Sequence, residues 1–204
     1  MQIARFEAKT SVEGPGIRSA VWLQGCSLGC QNCCNPEMHD FSAGQTVSPD
    51  ELAEMILRAE ADGLSLLGGE PLDQADELLQ MLKILKKDYK HGIFLFSGYT
   101  YENILADKKK KAVTEFCDLL IAGPFFPELQ SGARRWIGSD NQTVHYISEF
   151  YSKELKIWPA GKKEIEIIFG DNDILINGTP LADDHELTRL IKPKMEAGIA
   201  KIHY

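Results

Sequence analysis

Residues 64–96 decide how the chain folds, and they read LSLLGGEPLDQADELLQMLKILKKDYKHGIFLF. Leu64–Leu67 is a short apolar run that predicts a strand, which Gly68-Gly69 closes. A helix is predicted to begin at Asp73, and its apolar stripe consists of Leu78, Leu79, Leu82 and Leu85. His91-Gly92 ends this helix, and Ile93–Phe96 is the next predicted strand. Strand, helix and strand in this order predict a βαβ unit with parallel strands.

The same alternation extends to both sides of this unit. The flanking predicted elements are a strand at 18–24, a helix from the N-cap Ser48 to about Ala61, helices at Tyr101–Leu105 and within Lys109–Phe116, and a strand at Asp118–Ile121. Short apolar strands separated by helices predict an α/β fold with a mostly parallel sheet and right-handed crossovers. About four such units precede residue 124, whereas a closed barrel has eight. We therefore expect a partial, open TIM-like βα barrel.

The pattern changes after Gly123-Pro124. Residues 124–142 are rich in Pro, Gly, Ser and Arg and predict a long functional loop, followed by a strand at Thr143–Ile147. Strands are predicted at 164–169 and 173–176, and a last helix at about 183–197. We therefore expect a core domain at 1–149. Residues 150–204 would be a small α+β extension, or terminal strands added to the main sheet.

Composition excludes several classes of protein. The 204 residues carry a formal net charge of −8, which argues against general affinity for nucleic-acid phosphates. No apolar run approaches the about 18 residues that span a bilayer. Met1–Thr10 lacks the features of a signal peptide. We therefore expect a soluble, cytoplasmic protein with neither nucleic acid nor membrane as a partner.

Four of the five cysteines lie between positions 26 and 34, in the segment GCSLGCQNCCNP that begins at Gly25. In a reducing compartment, clustered cysteines favour metal or cluster ligation over disulfides. Cys26, Cys30 and Cys33 have the spacing C-x3-C-x2-C, and three thiolates on one loop can bind three irons of a cubane cluster. The fourth iron then stays open to another chelator.

Cys34 leaves two alternatives open. Cys26, Cys30 and Cys34 form a second possible triad, and zinc could use all four cysteines. Structural zinc sites usually have two well-separated pairs of ligands, so we favour the cluster. Cys117 stands apart from the others and is expected in the core.

Gly68-Gly69-Glu70-Pro71 follows a predicted strand at its carboxyl end. Ligands bind at this end of the strands in α/β sheets and barrels, and two glycines allow a ligand to approach the backbone. A carboxylate there can pair with a ligand ammonium group. By itself the segment could equally be a turn with a surface glutamate.

Together these segments resemble the radical S-adenosylmethionine (SAM) superfamily, and most closely its small activating enzymes of glycyl-radical enzymes. Residues 12–18 (VEGPGIR) are similar to the segment that precedes the cluster loop in pyruvate formate-lyase activating enzymes. Residues 97–100 (SGYT), 118–125 (DLLIAGPF) and 138–142 (GSDNQ) are similar to anaerobic ribonucleotide reductase activating proteins. The resemblance spans about residues 10–147.

The resemblance implies that Cys26, Cys30 and Cys33 ligate one [4Fe–4S] cluster and that SAM binds its open iron. It implies a wider cofactor-binding set, which is Asn32, Cys34, Gly68, Gly69, Glu70, Pro71, Ser97 and Gly98. Of these, Gly68–Glu70 would bind the amino group of SAM, and Ser97 and Gly98 would lie near its ribose. Asn32 and Cys34 depart from the residues that are common in relatives at these positions.

The implied reaction is reductive cleavage of SAM to methionine and a 5′-deoxyadenosyl radical that abstracts hydrogen. The implied partner is a glycyl-radical enzyme, whose glycine is the substrate, and the implied electron donor is a flavodoxin or ferredoxin. Arg134, Arg135 and Trp136 could contact that partner, or could belong to an ordered surface loop. Two alternatives stay open. They are radical SAM modification of a peptide or small metabolite, including a deazaguanine-type ring contraction, and a zinc or iron–sulfur interaction module without SAM chemistry.

Overall fold

The computed structural model describes residues 1–152, 155–161, 164–169, 173–178 and 201–203. Seven strands form the main sheet: β1 (Gln2–Thr10), β2 (Arg18–Leu23), β3 (Gln45–Thr46), β4 (Gly63–Gly68), β5 (Gly92–Ser97), β6 (Leu119–Ala122) and β7 (Thr143–Tyr146). The α-helices are α1 (Pro49–Ala59), α2 (Ala75–Leu85), α3 (Tyr101–Ala106) and α4 (Lys108–Thr114). Short 3₁₀ helices lie at Pro36–His39, Pro71–Gln74 and Pro127–Leu129.

The main sheet has the order β3-β1-β2-β4-β5-β6-β7. Its centre, β2-β4-β5-β6, is parallel, whereas β1, β3 and β7 pair antiparallel toward the two edges. The predicted α/β class with a mostly parallel central sheet is therefore confirmed. β1 is an element that the sequence analysis did not predict.

Both faces of the central strands are apolar, as expected for buried parallel strands. Val21, Leu66 and Leu95 pack with the helices in the larger core cluster. Phe94 and Ile121 point to the opposite face, where side chains from beyond residue 135 cover them. Helices thus cover one face of the sheet, and the later part of the chain covers the β5 and β6 part of the other face.

The predicted start of α1 is confirmed, because the Ser48 hydroxyl accepts the Glu51 N–H at 3.2 Å. The predicted start of the next helix at Asp73 is wrong, since α2 begins at Ala75. A 3₁₀ turn at Pro71–Gln74 comes first, and the Glu70 side chain accepts the Leu72 N–H within it. Asp73 is used instead for contacts with another loop.

The C-terminal strands form a sheet of their own. β8 (Ile165–Phe169) pairs antiparallel with β9 (Asp173–Gly178), and β9 pairs parallel with β10 (Lys201–His203). Among the described residues these strands pair with each other and not with the main sheet. The helix predicted at 183–197 lies outside the described residues, and the division at residue 149 stays a prediction.

Arg18 fastens the amino ends of the parallel strands. Its guanidinium is fully buried and donates to the Ser65 hydroxyl (2.8 Å), the Tyr151 hydroxyl (2.7 Å) and the Gly92 carbonyl (3.1 Å). It also lies 4.5 Å from the centre of the Phe94 ring. This arginine therefore joins β2, β4 and β5 to the chain beyond residue 150. Within the described part of the chain, no helix is both long and apolar enough to cross a membrane.

Candidate functional site

The predicted site segments meet at one edge of the main sheet, where the parallel strands end. The cysteine loop leaves β2, Gly68-Gly69 ends β4, and Ser97-Gly98 ends β5. The register pairs Leu23 with Gly68, and the Gly69 N–H continues this pairing by donating to the Leu23 carbonyl at 2.8 Å. The Glu70 N–H then donates to the Gly25 carbonyl at 2.9 Å. The backbone itself thus holds the first residues of the cysteine loop beside the glycine pair.

Three glycines make this close approach possible. A Cβ on Gly68 would lie 2.5 Å from the Leu23 nitrogen, and one on Gly69 would lie 2.3 Å from the Gly25 oxygen. A Cβ on Gly98 would lie 2.5 Å from the Leu28 side chain. Real Cβ contacts are not this short, so Gly68 and Gly69, which face backbone atoms, exclude a side chain, and a side chain at position 98 would have to displace Leu28. The glycines bring the three segments into direct contact.

The cysteine loop is folded by residues with left-handed backbone conformations. Gly25 has φ 98°, Gly29 has φ 57° and Asn32 has φ 53°. Asparagine is among the residues that tolerate this region best, so Asn32 fits a tight turn just before Cys33. Its side chain is exposed. The structure thus gives Asn32 a conformational reason to stand in the loop.

All five cysteines are free thiols, and Cys26, Cys30 and Cys33 are each partly exposed. Burial raises the pKa of the Cys26 thiol, although the N–H groups of Leu28 and Gly29 point at its sulfur. Interaction with the neighbouring Cys34 thiol is the main cause that lowers the pKa of Cys33, and the same interaction raises the pKa of Cys34. The two thiols therefore titrate as a pair.

These thiols have the donor chemistry of an iron–sulfur site. Over the described residues, no group of three or more His, Cys, Asp or Glu side chains is placed to hold one metal ion. A cubane differs, because each cysteine binds a separate iron and the sulfurs can stand further apart. Partly exposed thiols with N–H groups aimed at a sulfur fit such a cluster. Cys117 is buried away from them, as predicted.

Glu70 is fully buried and ties the ends of β4 and β5 together. One carboxylate oxygen accepts the Leu72 N–H and the Ser97 hydroxyl, both at 2.9 Å. The other accepts the Gly98 N–H at 2.8 Å. Burial is the main cause that raises its pKa, to about 7. Since a carboxylate offers about four acceptor positions, three of them are already used within the protein.

The sequence analysis missed a polar cluster at the same edge. Asp73 accepts the Ser27 N–H at 2.7 Å and the Tyr99 hydroxyl at 2.6 Å. The Ser27 and Tyr99 hydroxyls are 3.0 Å apart. Ser27 and Tyr99 stand directly beside predicted site residues and Asp73 two positions after one, which was the available signal. Pro71, which was predicted in the site, is buried at the start of the intervening 3₁₀ helix.

A groove opens beside Cys30. It has a volume of about 310 Å³ and is lined by Leu28, Cys30, Gln31 and the loop 124–128. Phe126, which lines the groove, exposes 41% of its surface, and Leu129, which follows the lining segment in sequence, exposes 43%. The cysteine loop therefore borders an accessible, partly apolar space.

The two arginines of the loop 124–142 make contacts within the protein. Arg134 donates to the carbonyls of Gln142 (3.1 Å) and Asp140 (2.9 Å). Arg135 forms an ion pair with Glu164 and lies over the Trp136 ring. Trp136 in turn packs edge-on against Phe94. These contacts favour the ordered-loop interpretation of this segment.

Comparison with known proteins agrees with this geometry. The family described as 4Fe-4S single cluster domain matches residues 12–145. The anaerobic ribonucleoside-triphosphate reductase-activating protein of Haemophilus influenzae is 30% identical over 154 residues, which cover 71% of this chain and 97% of that protein. The protein of the same name from Vibrio cholerae is 31% identical over 143 residues, covering 66% and 90%. The pyruvate formate-lyase-activating enzyme of Clostridium pasteurianum is 34% identical over 108 residues, covering 50% and 45%. The chain therefore belongs to the 4Fe-4S single cluster domain family, and within the radical SAM superfamily it resembles the activating proteins of glycyl-radical enzymes.

Proposed function

We propose that this chain is a radical SAM enzyme that generates the glycyl radical of a partner protein. One observation carries the proposal: the thiol loop, the Gly68-Gly69 pair and Gly98 are in contact at one edge of the sheet. Cys26, Cys30 and Cys33 would hold the [4Fe–4S] cluster, and with three protein ligands one iron would be left for SAM. When bound, cluster and SAM supply a one-electron cleavage that yields methionine and a hydrogen-abstracting 5′-deoxyadenosyl radical.

In this proposal the protein's own residues bind SAM and orient it. Gly68 and Gly69 leave room for the methionine part of SAM at the backbone, and Glu70 offers its remaining acceptor position to an N–H of the SAM amino group. Ser97 and Gly98 lie toward the ribose, and Pro71 keeps Glu70 in place. In this proposal Cys34 lies beside the ligand Cys33 and is not itself a ligand.

A protein substrate is supported by the open surroundings of the cysteine loop. We propose that the main sheet is the wall of a partial barrel, whose incomplete side admits a loop of the partner. The groove beside Cys30, with Phe126 and Leu129 exposed near it, offers an apolar contact for that loop. The substrate atom is a glycine Cα hydrogen, and a flavodoxin or ferredoxin supplies the electron.

The first test is anaerobic formation of 5′-deoxyadenosine. The full chain is reconstituted with iron and sulfide, reduced with dithionite and mixed with SAM, beside Cys30→Ala and Cys34→Ala. We expect product from the wild type and from Cys34→Ala and none from Cys30→Ala. A zinc-loaded wild type without product would contradict the proposal. The partner is tested by the glycyl-radical EPR signal of the same organism's anaerobic ribonucleotide reductase.

A further inference from the structure

Asp73 connects the three segments of the candidate site through one carboxylate. One oxygen accepts the Ser27 N–H at 2.7 Å. The other accepts the Ser27 hydroxyl at 3.1 Å and the Tyr99 hydroxyl at 2.6 Å. Ser27 follows Cys26 in the thiol loop, Asp73 follows Glu70 by three positions, and Tyr99 follows Gly98.

The cluster of Ser27, Asp73 and Tyr99 is supported from outside. The ammonium group of Lys110 lies 4.7 Å from the centre of the Tyr99 ring and 2.9 Å from the Asp107 carboxylate. Tyr99 is half-buried, and its own N–H donates to the Ser97 hydroxyl at 3.1 Å. These contacts hold the Tyr99 ring independently of its hydrogen bond to Asp73.

We infer that Asp73 is a positioning residue that fixes the thiol loop relative to the SAM-binding segments, an inference that rests on the proposed function. Backbone bonds of Gly25 and Cys26 hold the entry to the loop, and Ser27 is exposed. A charge-assisted bond to the Ser27 N–H restrains the loop between the ligands Cys26 and Cys30. Tyr99 orients the carboxylate. The position of the thiol loop relative to the SAM-binding segments depends on this restraint.

The test compares Asp73→Asn with a matched carboxylate at the opposite end of the sheet. Asp118 also accepts one backbone N–H, from Ile93 at 2.9 Å, and one serine hydroxyl, from Ser148 at 2.5 Å. Each asparagine variant keeps the side-chain shape and replaces one acceptor oxygen with an amide donor. Tyr99→Phe removes the phenol hydroxyl and keeps the ring beside Lys110.

The experiment has two measurements on the full chain. Hydrogen exchange is followed in the cluster-free protein, and the dissociation constant for SAM is measured after anaerobic reconstitution with matched iron content. We expect Asp73→Asn to speed exchange in residues 25–34 and to weaken SAM binding at least about tenfold. Tyr99→Phe should also speed exchange and weaken SAM binding, by smaller amounts. Asp118→Asn should lower the unfolding temperature and leave loop exchange and SAM affinity unchanged.

Two results would overturn the inference. One is unchanged exchange in residues 25–34 of Asp73→Asn, and the other is a SAM affinity within about twofold of the wild type. Failure of the proposed function has a different signature, because the wild type itself would then form no 5′-deoxyadenosine. The exchange measurement needs neither cluster nor SAM, so it still decides whether Asp73 restrains the loop.

Discussion

Alanine at position 63 should damage the fold through a contact at some distance from the candidate site. Gly63 begins β4, and its φ is not positive, so alanine brings no backbone strain. A Cβ there would lie 2.2 Å from one terminal nitrogen of Arg18 and 2.6 Å from its central carbon. The guanidinium is fully buried and cannot swing into solvent. It has to move away from the acceptors that it now reaches.

The cost follows from the bonds that the displacement breaks. The nitrogen nearest the new methyl group donates to the Tyr151 hydroxyl at 2.7 Å, and the other terminal nitrogen donates to the carbonyls of Leu64 (2.5 Å) and Gly92 (3.1 Å). Loss of two charge-assisted bonds at about 1.5–3 kcal/mol each lowers the free energy of unfolding by about 3–6 kcal/mol. That is a large part of the about 5–15 kcal/mol typical of a domain.

Urea unfolding of the cluster-free protein, followed by tryptophan fluorescence without oxygen, measures this difference. Gly132→Ala is the matched control, because no heavy atom lies within 4 Å of a Cβ built there. We expect the control to stay within about 0.5 kcal/mol of the wild type. If the free energies of unfolding of Gly63→Ala and Gly132→Ala differ by less than about 1 kcal/mol, the guanidinium has room to move and is not packed as tightly as inferred.

Three further outcomes follow from other contacts. Because burial raises the pKa of Glu70 to about 7 from an ordinary 4.5, the folded protein binds more protons than the unfolded one between these values. Its contribution to stability is therefore present below pH 4.5 and is lost as the pH rises through about 7. Glu70→Gln should flatten this dependence in urea unfolding, and parallel pH curves would contradict the assignment. In cluster-free protein at pH 7, iodoacetamide should alkylate Cys33 faster than Cys34, and Cys34→Ala should slow the alkylation of Cys33. Equal alkylation rates of the two thiols, measured by mass spectrometry, would argue against their interaction. The Asn177 side chain accepts a hydrogen bond from Arg5 and donates one to Thr10. Asn177→Ala should therefore lower the free energy of unfolding by about 1–3 kcal/mol and speed hydrogen exchange in β9. Unchanged exchange would show that these bonds do not restrain β9.

The parallel strands could be predicted because each is a short apolar run buried on both faces. β2, β4, β5 and β6 all lie within one or two residues of their predicted bounds. β1 is not an apolar run, since Arg5, Glu7 and Lys9 occupy every second position; this alternation is the different signal of a strand with one polar face, which the sequence analysis did not use. It becomes a strand because β2 offers an antiparallel partner, and Arg5 is accommodated by lying 3.7 Å from the centre of the Trp22 ring.

The location of the candidate site was predictable for a related reason. Residues that follow parallel strands must meet at one edge, so the cysteines, Gly68-Gly69 and Ser97-Gly98 come together whatever the loops do. The direction of the Glu70 side chain was not predictable, because it depends on donors from both the following turn and the next strand. The contacts of Asp73 were not predictable either, because its partners lie 46 and 26 residues away along the chain. Its sequence neighbours alone led to its interpretation as a helix start.

The chain beyond residue 150 shows how far such partners can lie. The family match ends at residue 145, so it gives no reason to connect the remainder to the core. Yet Arg18 donates to Tyr151, 133 residues away, and Arg5 donates to Asn177, 172 residues away. These arginines belong to the first two strands, and Tyr151 and Asn177 are almost fully buried. A buried guanidinium that loses an acceptor is costly, which makes the later residues part of what keeps the sheet in place.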